Sequence, residues 1–152
     1  MDKRAHGFEG LQVWQQAHQL MVDIHKRLVP LLPSDEKYDL TFQIRKSSKS
    51  VGANISEGYG RFYYMDNVRF CYNARGSLDE TTNHLLDSRD LGYCPQPLYE
   101  NLRSQADEVR RLLNGYIAWL KKQKVGEDEP GANVAVHELR VEYNVGGDEL
   151  TS

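Results

Sequence analysis

QIRKSSKSVGANISEGYGR, residues Gln43–Arg61, has helical apolar spacing with an unusual filling. Leu40, Ile44, Ser47, Val51, Asn54 or Ile55, and Gly58 recur every three or four residues, as one stripe of a helix does. In most helices such positions carry Leu or Ile. Here several carry Ser, Asn or Gly, so a partner helix can approach closely and the buried polar side chains need partners inside the protein. The spacing predicts a helix built for specific packing, with the rest of the chain arranged against it.

To the N-terminal side, Trp14, Ala17, Met21, Ile24, Leu28 and Leu31 step by three and four. That heptad seam predicts a first helix over about 11–31, widened by Val13 and Leu20 to a bundle stripe. Pro30 and Pro33 stop it. Ser34 is placed to cap a second helix over about 35–59, with Asp35 and Glu36 in its first turn, where the helix dipole favours acidic groups. Gly58-Tyr59-Gly60 ends it, and Phe62-Tyr63-Tyr64 forms an aromatic turn. Asp66 or Asn67 is the candidate cap of a third helix over about 66–90, with Val68, Cys71, Ala74, Leu78, Thr82 and Leu85 as its seam. Gly92-Tyr93-Cys94-Pro95 breaks that helix. Pro97 suits the first turn of a fourth over about 97–124, with Leu98, Leu102, Ala106, Val109, Leu112 or Leu113, Tyr116 and Leu120 as its seam. Lys121, Lys122 and Lys124 fall at its negative end. Long helices with short connections predict an all-α, up-down-up-down antiparallel four-helix bundle over residues 1–124.

The charge is unevenly placed. The chain has 19 basic and 22 acidic residues, a net of −3. From residue 125 onward Glu127, Asp128, Glu129, Glu138, Glu142, Asp148 and Glu149 face Arg140 alone, a net of −6. Residues 1–124 therefore carry +3, and the chain divides into a mildly basic body and an acidic tail, 125–152. The tail shows no sustained helical period and is expected to be irregular and flexible. Within it VAVHELRVEY (Val134–Tyr143) alternates well enough for a short strand or a partner-bound segment, though not for a stable sheet alone. Residues 1–9 are polar and expected to fray. A length of 152 residues suits one domain. No run of 18 apolar residues exists, so no membrane span is expected, and MDKRAHGFEG lacks the apolar region of a signal peptide. Cys71 and Cys94 lie 23 residues apart without a CxxC, which suits a reducing cytoplasm.

Three segments carry a resemblance: FEGLQVWQQAHQL (Phe8–Leu20), QIRKSSKSVGANISEGYGR (Gln43–Arg61) and ARGSLDET (Ala74–Thr81). They resemble the four helix bundle protein family, whose members include proteins encoded in intervening sequences of bacterial 23S rRNA genes. The likeness spans about residues 8–123. It implies an up-down bundle that assembles into rings, usually homopentamers. A related branch comprises the accessory proteins of diversity-generating retroelements, basic pentameric barrels that hold a reverse transcriptase and its template RNA. The resemblance implies no catalytic residue and no cofactor. The acidic tail is not part of the family's pattern.

Two residue sets stand out. Asn54 and Glu57 share a face of the second helix, and Glu57 precedes Arg61 by four residues. One reading is a structural polar network: Asn54 bonds across to Ser77 on the third helix, and Glu57 holds Arg61. The other is a ligand pocket centred on Glu57. Arg45, Lys46, Lys49, Arg61, Arg69 and Arg75 form the densest basic set, interleaved with Phe62, Tyr63, Tyr64, Phe70 and Tyr72. Cations for phosphate and aromatics for bases make a nucleic-acid footprint. Equally, the aromatics can be core or inter-subunit packing and the charges a solvated face. Trp14, Trp119 and nine tyrosines exceed the needs of four thin seams, and surplus aromatics mark interfaces.

The catalytic templates fail. No P-loop and no strand-linked glycine fingerprint occurs. HExxH is absent, His18 and His25 lack accompanying carboxylates, and Cys71 and Cys94 have no spaced His partners, so no metal site is expected. Ser77 with His84 is a bare nucleophile–base spacing, and Glu80 with His84 does not match the ExxH of di-iron bundles. The expectation is a non-catalytic, ring-forming bundle that binds RNA or a ribonucleoprotein partner, such as a reverse transcriptase, through the basic set. The alternative is a protein–protein scaffold whose tail recruits a partner through Val134–Tyr143.

Overall fold

The apolar side chains of residues 7–123, the part described by the computed structural model, sort into four helices. These are α1 (Gln12–Asp23), α2 (Leu40–Tyr59), α3 (Tyr64–Asp90) and α4 (Gln96–Lys122). Among the described residues no strand occurs. Successive helices pack against one another and α1 packs against α4, which closes a four-helix bundle, and α2 meets α3 most extensively. Short connections between neighbours run them antiparallel. The α1–α2 and α3–α4 turns therefore share one end, where the Tyr93 hydroxyl feels the carboxylates of Glu36 and Asp35. Burial pushes the Tyr93 hydroxyl pKa up, and the charges of Glu36 and Asp35 push it further. The α2–α3 turn shares the other end with the last turn of α4. No helix of the described residues is long and apolar enough to cross a membrane.

The core follows the seams, with informative departures. Leu11, Val13, Ala17, Leu20, Ile24 and Leu28 are buried, while Trp14 and Met21 flank them and Leu31 is 48% exposed. The seam runs out because α1 widens into a π-helical turn, Ile24–Leu28, in which the Val29 N–H bonds the Ile24 carbonyl, and then tightens into the 3-10 turn Val29–Leu31 at Pro30. The π turn gains a local partner in His25, whose Nδ1 lies 2.8 Å from Met21 O.

The expected start of the second helix at 35 is incorrect. Ser34–Glu36 is a separate 3-10 turn without a Ser34 side-chain cap, and α2 begins at Leu40. Residues 34–39 offer nothing to bury, since Tyr38 is exposed, so the helix starts only where Leu40 enters the core. The N-terminal segment is ordered earlier than expected: Phe8–Gly10 forms a 3-10 turn, and the Phe8 ring sits edge-on to Trp14 at 5.1 Å. Lys124 and the tail, Val134–Tyr143 included, lie outside the described residues.

α3 begins at Tyr64, and Asn67 is no cap. Its side chain is fully buried, with Nδ2 donating to Tyr116 Oη at 3.4 Å and Oδ1 accepting from Cys71 Sγ at 3.6 Å. Gly58 makes this possible: a Cβ there would lie 2.7 Å from Asn67 Oδ1 and 2.9 Å from Phe70 Cβ. The inward threonine is Thr81 rather than Thr82, whose hydroxyl turns to the Leu78 carbonyl. Part of the aromatic surplus is core: Tyr64, Tyr99, Tyr116 and Trp119 are buried, the last two with rings stacked 6.1 Å apart.

Candidate nucleic-acid interface

The small-residue stripe of α2 faces α3, and its hydroxyls are paired. Thr81 Oγ1 lies 2.9 Å from Ser47 Oγ, and Ser77 donates to Ser50 Oγ at 2.9 Å. Asn54 Nδ2 donates to the Ser50 carbonyl at 2.9 Å and to Ser50 Oγ at 3.0 Å. The direct Asn54–Ser77 bond is therefore replaced by one relayed through Ser50. Asn54 is only part-buried, and its amide reaches back one turn instead of across the seam. Glu57 does not join this network. It stands exposed on the outer face and binds Arg61 Nη2 at 2.6 Å. Ser77, committed to Ser50, does not engage His84, which lies 3.5 Å from Glu80 and 3.9 Å from Asp87.

A groove of about 190 Å³ opens instead between α1 and α2. Trp14 and His18 stack along its α1 wall with ring centroids 4.7 Å apart, while Ser48, Lys49, Gly52 and Ser56 line the α2 wall. Nothing in the sequence patterns singles out this groove, although Trp14 and His18 at four-residue spacing share a helix face.

The six basic residues divide among three places. Arg45, Lys46 and Lys49 project from the exposed face of α2, with Lys46 Nζ 6.0 Å from the Phe42 ring and Lys49 bordering the groove. Arg61 and Arg69 converge on Phe70, their guanidinium carbons 4.7 and 5.8 Å from its centroid. Arg69 also pairs with Asp66 at 3.2 Å. Beside them Phe62 and Tyr63, 60% and 56% exposed, pack edge to face at 5.0 Å across the α2–α3 turn. Arg75 lies apart, in the α3–α4 seam, donating to Asn114 Oδ1 at 3.1 Å and resting 5.0 Å from the Tyr72 centroid. Lys121 Nζ, from the last turn of α4 and outside the basic set, reaches the same ring at 5.1 Å.

The α2–α3 end thus places cations, an edge-to-face ring pair and open aromatic faces around one connection. Its ion pairs are exposed, and such pairs contribute only ~0–1 kcal/mol, so the guanidiniums can exchange carboxylate for phosphate. No group of three or more His, Cys, Asp or Glu side chains suited to a metal occurs among the described residues.

A family model described as 23S rRNA-intervening sequence protein matches residues 9–115, from the turn before α1 through most of α4. No curated protein matches the chain.

Proposed function

The chain belongs to the 23S rRNA-intervening sequence protein family, and from that premise we propose that it is a non-catalytic bundle that binds single-stranded RNA and acts as an assembly of copies. The observation that carries the RNA reading is the α2–α3 end. Arg61 and Arg69 flank Phe70, and Phe62 and Tyr63 stand open beside them. Guanidinium groups hold phosphates, and exposed rings stack on bases at ~1–3 kcal/mol per base. Arg45, Lys46 and Lys49 extend the charged surface along α2, and Arg75 adds a further cation in the α3–α4 seam.

A bundle that holds so few phosphates binds weakly as one chain. Copies in a ring multiply them: with one or two phosphates per chain, the five chains that the family resemblance implies hold about five to ten, enough for useful and steeply salt-dependent affinity. Self-association has material at the opposite end, where Leu31, Tyr38, Phe42 and Leu91 are all exposed.

The test is fluorescence anisotropy with a labelled 20-nucleotide single-stranded RNA over a salt series. In the Arg61→Ala, Arg69→Ala, Phe62→Ala variant, affinity should fall, and the slope of log K against log salt should flatten by about 0.7 for each phosphate no longer neutralised. Unchanged affinity and slope would overturn the assignment of this end.

A further inference from the structure

The groove between α1 and α2 has the size and the lining of a site for one planar ring system. Its volume is about 190 Å³, somewhat more than the ~150 Å³ that holds a benzene ring and less than the ~300 Å³ of the smallest drug-sized pockets. Trp14 and the exposed His18 stack along one wall, 14° from parallel. Gly52 faces the indole without a side chain: a Cβ there would stand 3.4 Å from Trp14 Nε1. Ser48 and Ser56 place hydroxyls in an otherwise apolar α2 wall. Each donates to a carbonyl of its own helix, at 3.2 and 2.9 Å, so each oxygen keeps lone pairs for an incoming donor.

Charge decides what kind of ring enters. Lys49 lines the groove, and Arg45 and Lys46 stand exposed on the same helix. No carboxylate of the described residues pairs with any of the three, whereas Arg61, Arg69, Arg103, Arg110 and Arg111 each find one. An apolar side chain from a protein partner would use the walls and leave the hydroxyls and the cations unanswered. A nucleotide answers all of them, because its base is flat and bears donors while its phosphate is an anion.

We propose that this groove is a base-binding subsite that takes one nucleotide of the RNA, with the base against the Trp14–His18 pair and the adjoining phosphate on Lys49. The subsite rests on the RNA reading and extends it from the α2–α3 end to a second place on the bundle. Lys49 lies ~15 Å of helix from Tyr59, where α2 ends. A 20-nucleotide strand, at ~3.4 Å per phosphate, reaches both.

The test uses the full chain. In NMR, the 20-nucleotide RNA should shift the Trp14 indole N–H resonance, and an abasic strand of equal length, which keeps the phosphates and lacks the bases, should not. Equal shifts by the two strands would overturn base binding. In anisotropy, His18→Ala should lower affinity about tenfold, the loss of one stacked base, with the salt slope unchanged. Lys49→Gln should flatten that slope by about 0.7. Both side chains are exposed, so neither variant endangers the bundle. RNA that binds with Trp14 unmoved and with both variants at wild-type affinity would overturn the subsite and leave the α2–α3 end standing. A Trp14 shift on diluting the chain without RNA would also overturn it, by filling the groove with a neighbouring copy. Absence of RNA binding, together with a Trp14 shift produced by adenosine monophosphate, would remove the RNA reading and the strand as occupant with it.

Discussion

Gly58 and Gly76 are both helical glycines, and their surroundings set opposite signs on the same substitution. An alanine in a helix interior is ordinarily worth ~1 kcal/mol over glycine. At Gly76 an added Cβ meets nothing within 4 Å, so Gly76→Ala should stabilise by about 0.5–1 kcal/mol. At Gly58 the Cβ would lie 2.7 Å from Asn67 Oδ1 and 2.9 Å from Phe70 Cβ, and Asn67 is held by Tyr116 and Cys71. Overpacking of that kind costs ~1–3 kcal/mol, so Gly58→Ala should destabilise despite its better propensity. Urea unfolding of the two variants reads both signs, and a stabilised Gly58→Ala would mean that α2 and α3 do not meet as closely as described. Asn67 shows why the sequence misleads at this scale. A side-chain amide near a helix start is equally suited to capping and to a buried bond, and only Tyr116, 49 residues away, decides between them. Its place four residues before Cys71, on the α3 seam, is the one signal the sequence offers.

Between elements, the α2–α3 packing depends on hydroxyl pairs where most bundles use leucines. Thr81 Oγ1 lies 2.9 Å from Ser47 Oγ, a pair buried on both sides, and 2.8 Å from the part-buried Ser77 carbonyl. Thr81→Val removes that partner and leaves Ser47 with only a long 3.4 Å bond to its own helix, which should cost about 1–3 kcal/mol. Adding Ser47→Ala should cost less than the sum of the single effects, with a coupling of about 0.5–1.5 kcal/mol in a double-mutant cycle. Additivity within ~0.3 kcal/mol would show that the pair contributes no mutual stabilisation. The need for such partners is legible from Ser47, Asn54 and Gly58 on one stripe, because helical periodicity fixes which residues share a face. Which residues answer them is not. Thr81 and Thr82 both fit the spacing of α3, and Ser50 intervenes between Asn54 and Ser77 because of the rotation of one helix against the other. The same limit splits the basic set: Arg61, Arg69 and Arg75 are close in sequence, yet α3 turns Arg75 toward α4, where Tyr72 and Lys121 meet it.

At the scale of the molecule, most of the exposed large apolar side chains of the described residues gather at the two ends of the bundle, Tyr72 in the α3–α4 seam excepted. Phe62, Tyr63 and Met65 stand at the α2–α3 turn, and Leu31, Tyr38, Phe42 and Leu91 around the two opposite turns. The sides carry most of the charge pairs. If the first end serves RNA and the second serves copies of the chain, the two should respond to different perturbations. Apolar association is little weakened by salt, whereas phosphate binding weakens steeply with it. Light scattering during size exclusion should therefore give a multiple of the chain mass, five by the family resemblance, at both low and high salt. The 260/280 nm ratio of the same peak should fall as salt rises. Phe42→Asp with Leu91→Asp should reduce the mass toward one chain, while Arg61→Ala with Arg69→Ala should leave it unchanged and lower only the nucleic-acid signal. A wild-type monomer at micromolar concentration would remove the multiplication of weak phosphate binding on which the RNA affinity depends. A mass that fell with the arginines would instead make the α2–α3 end the junction between copies.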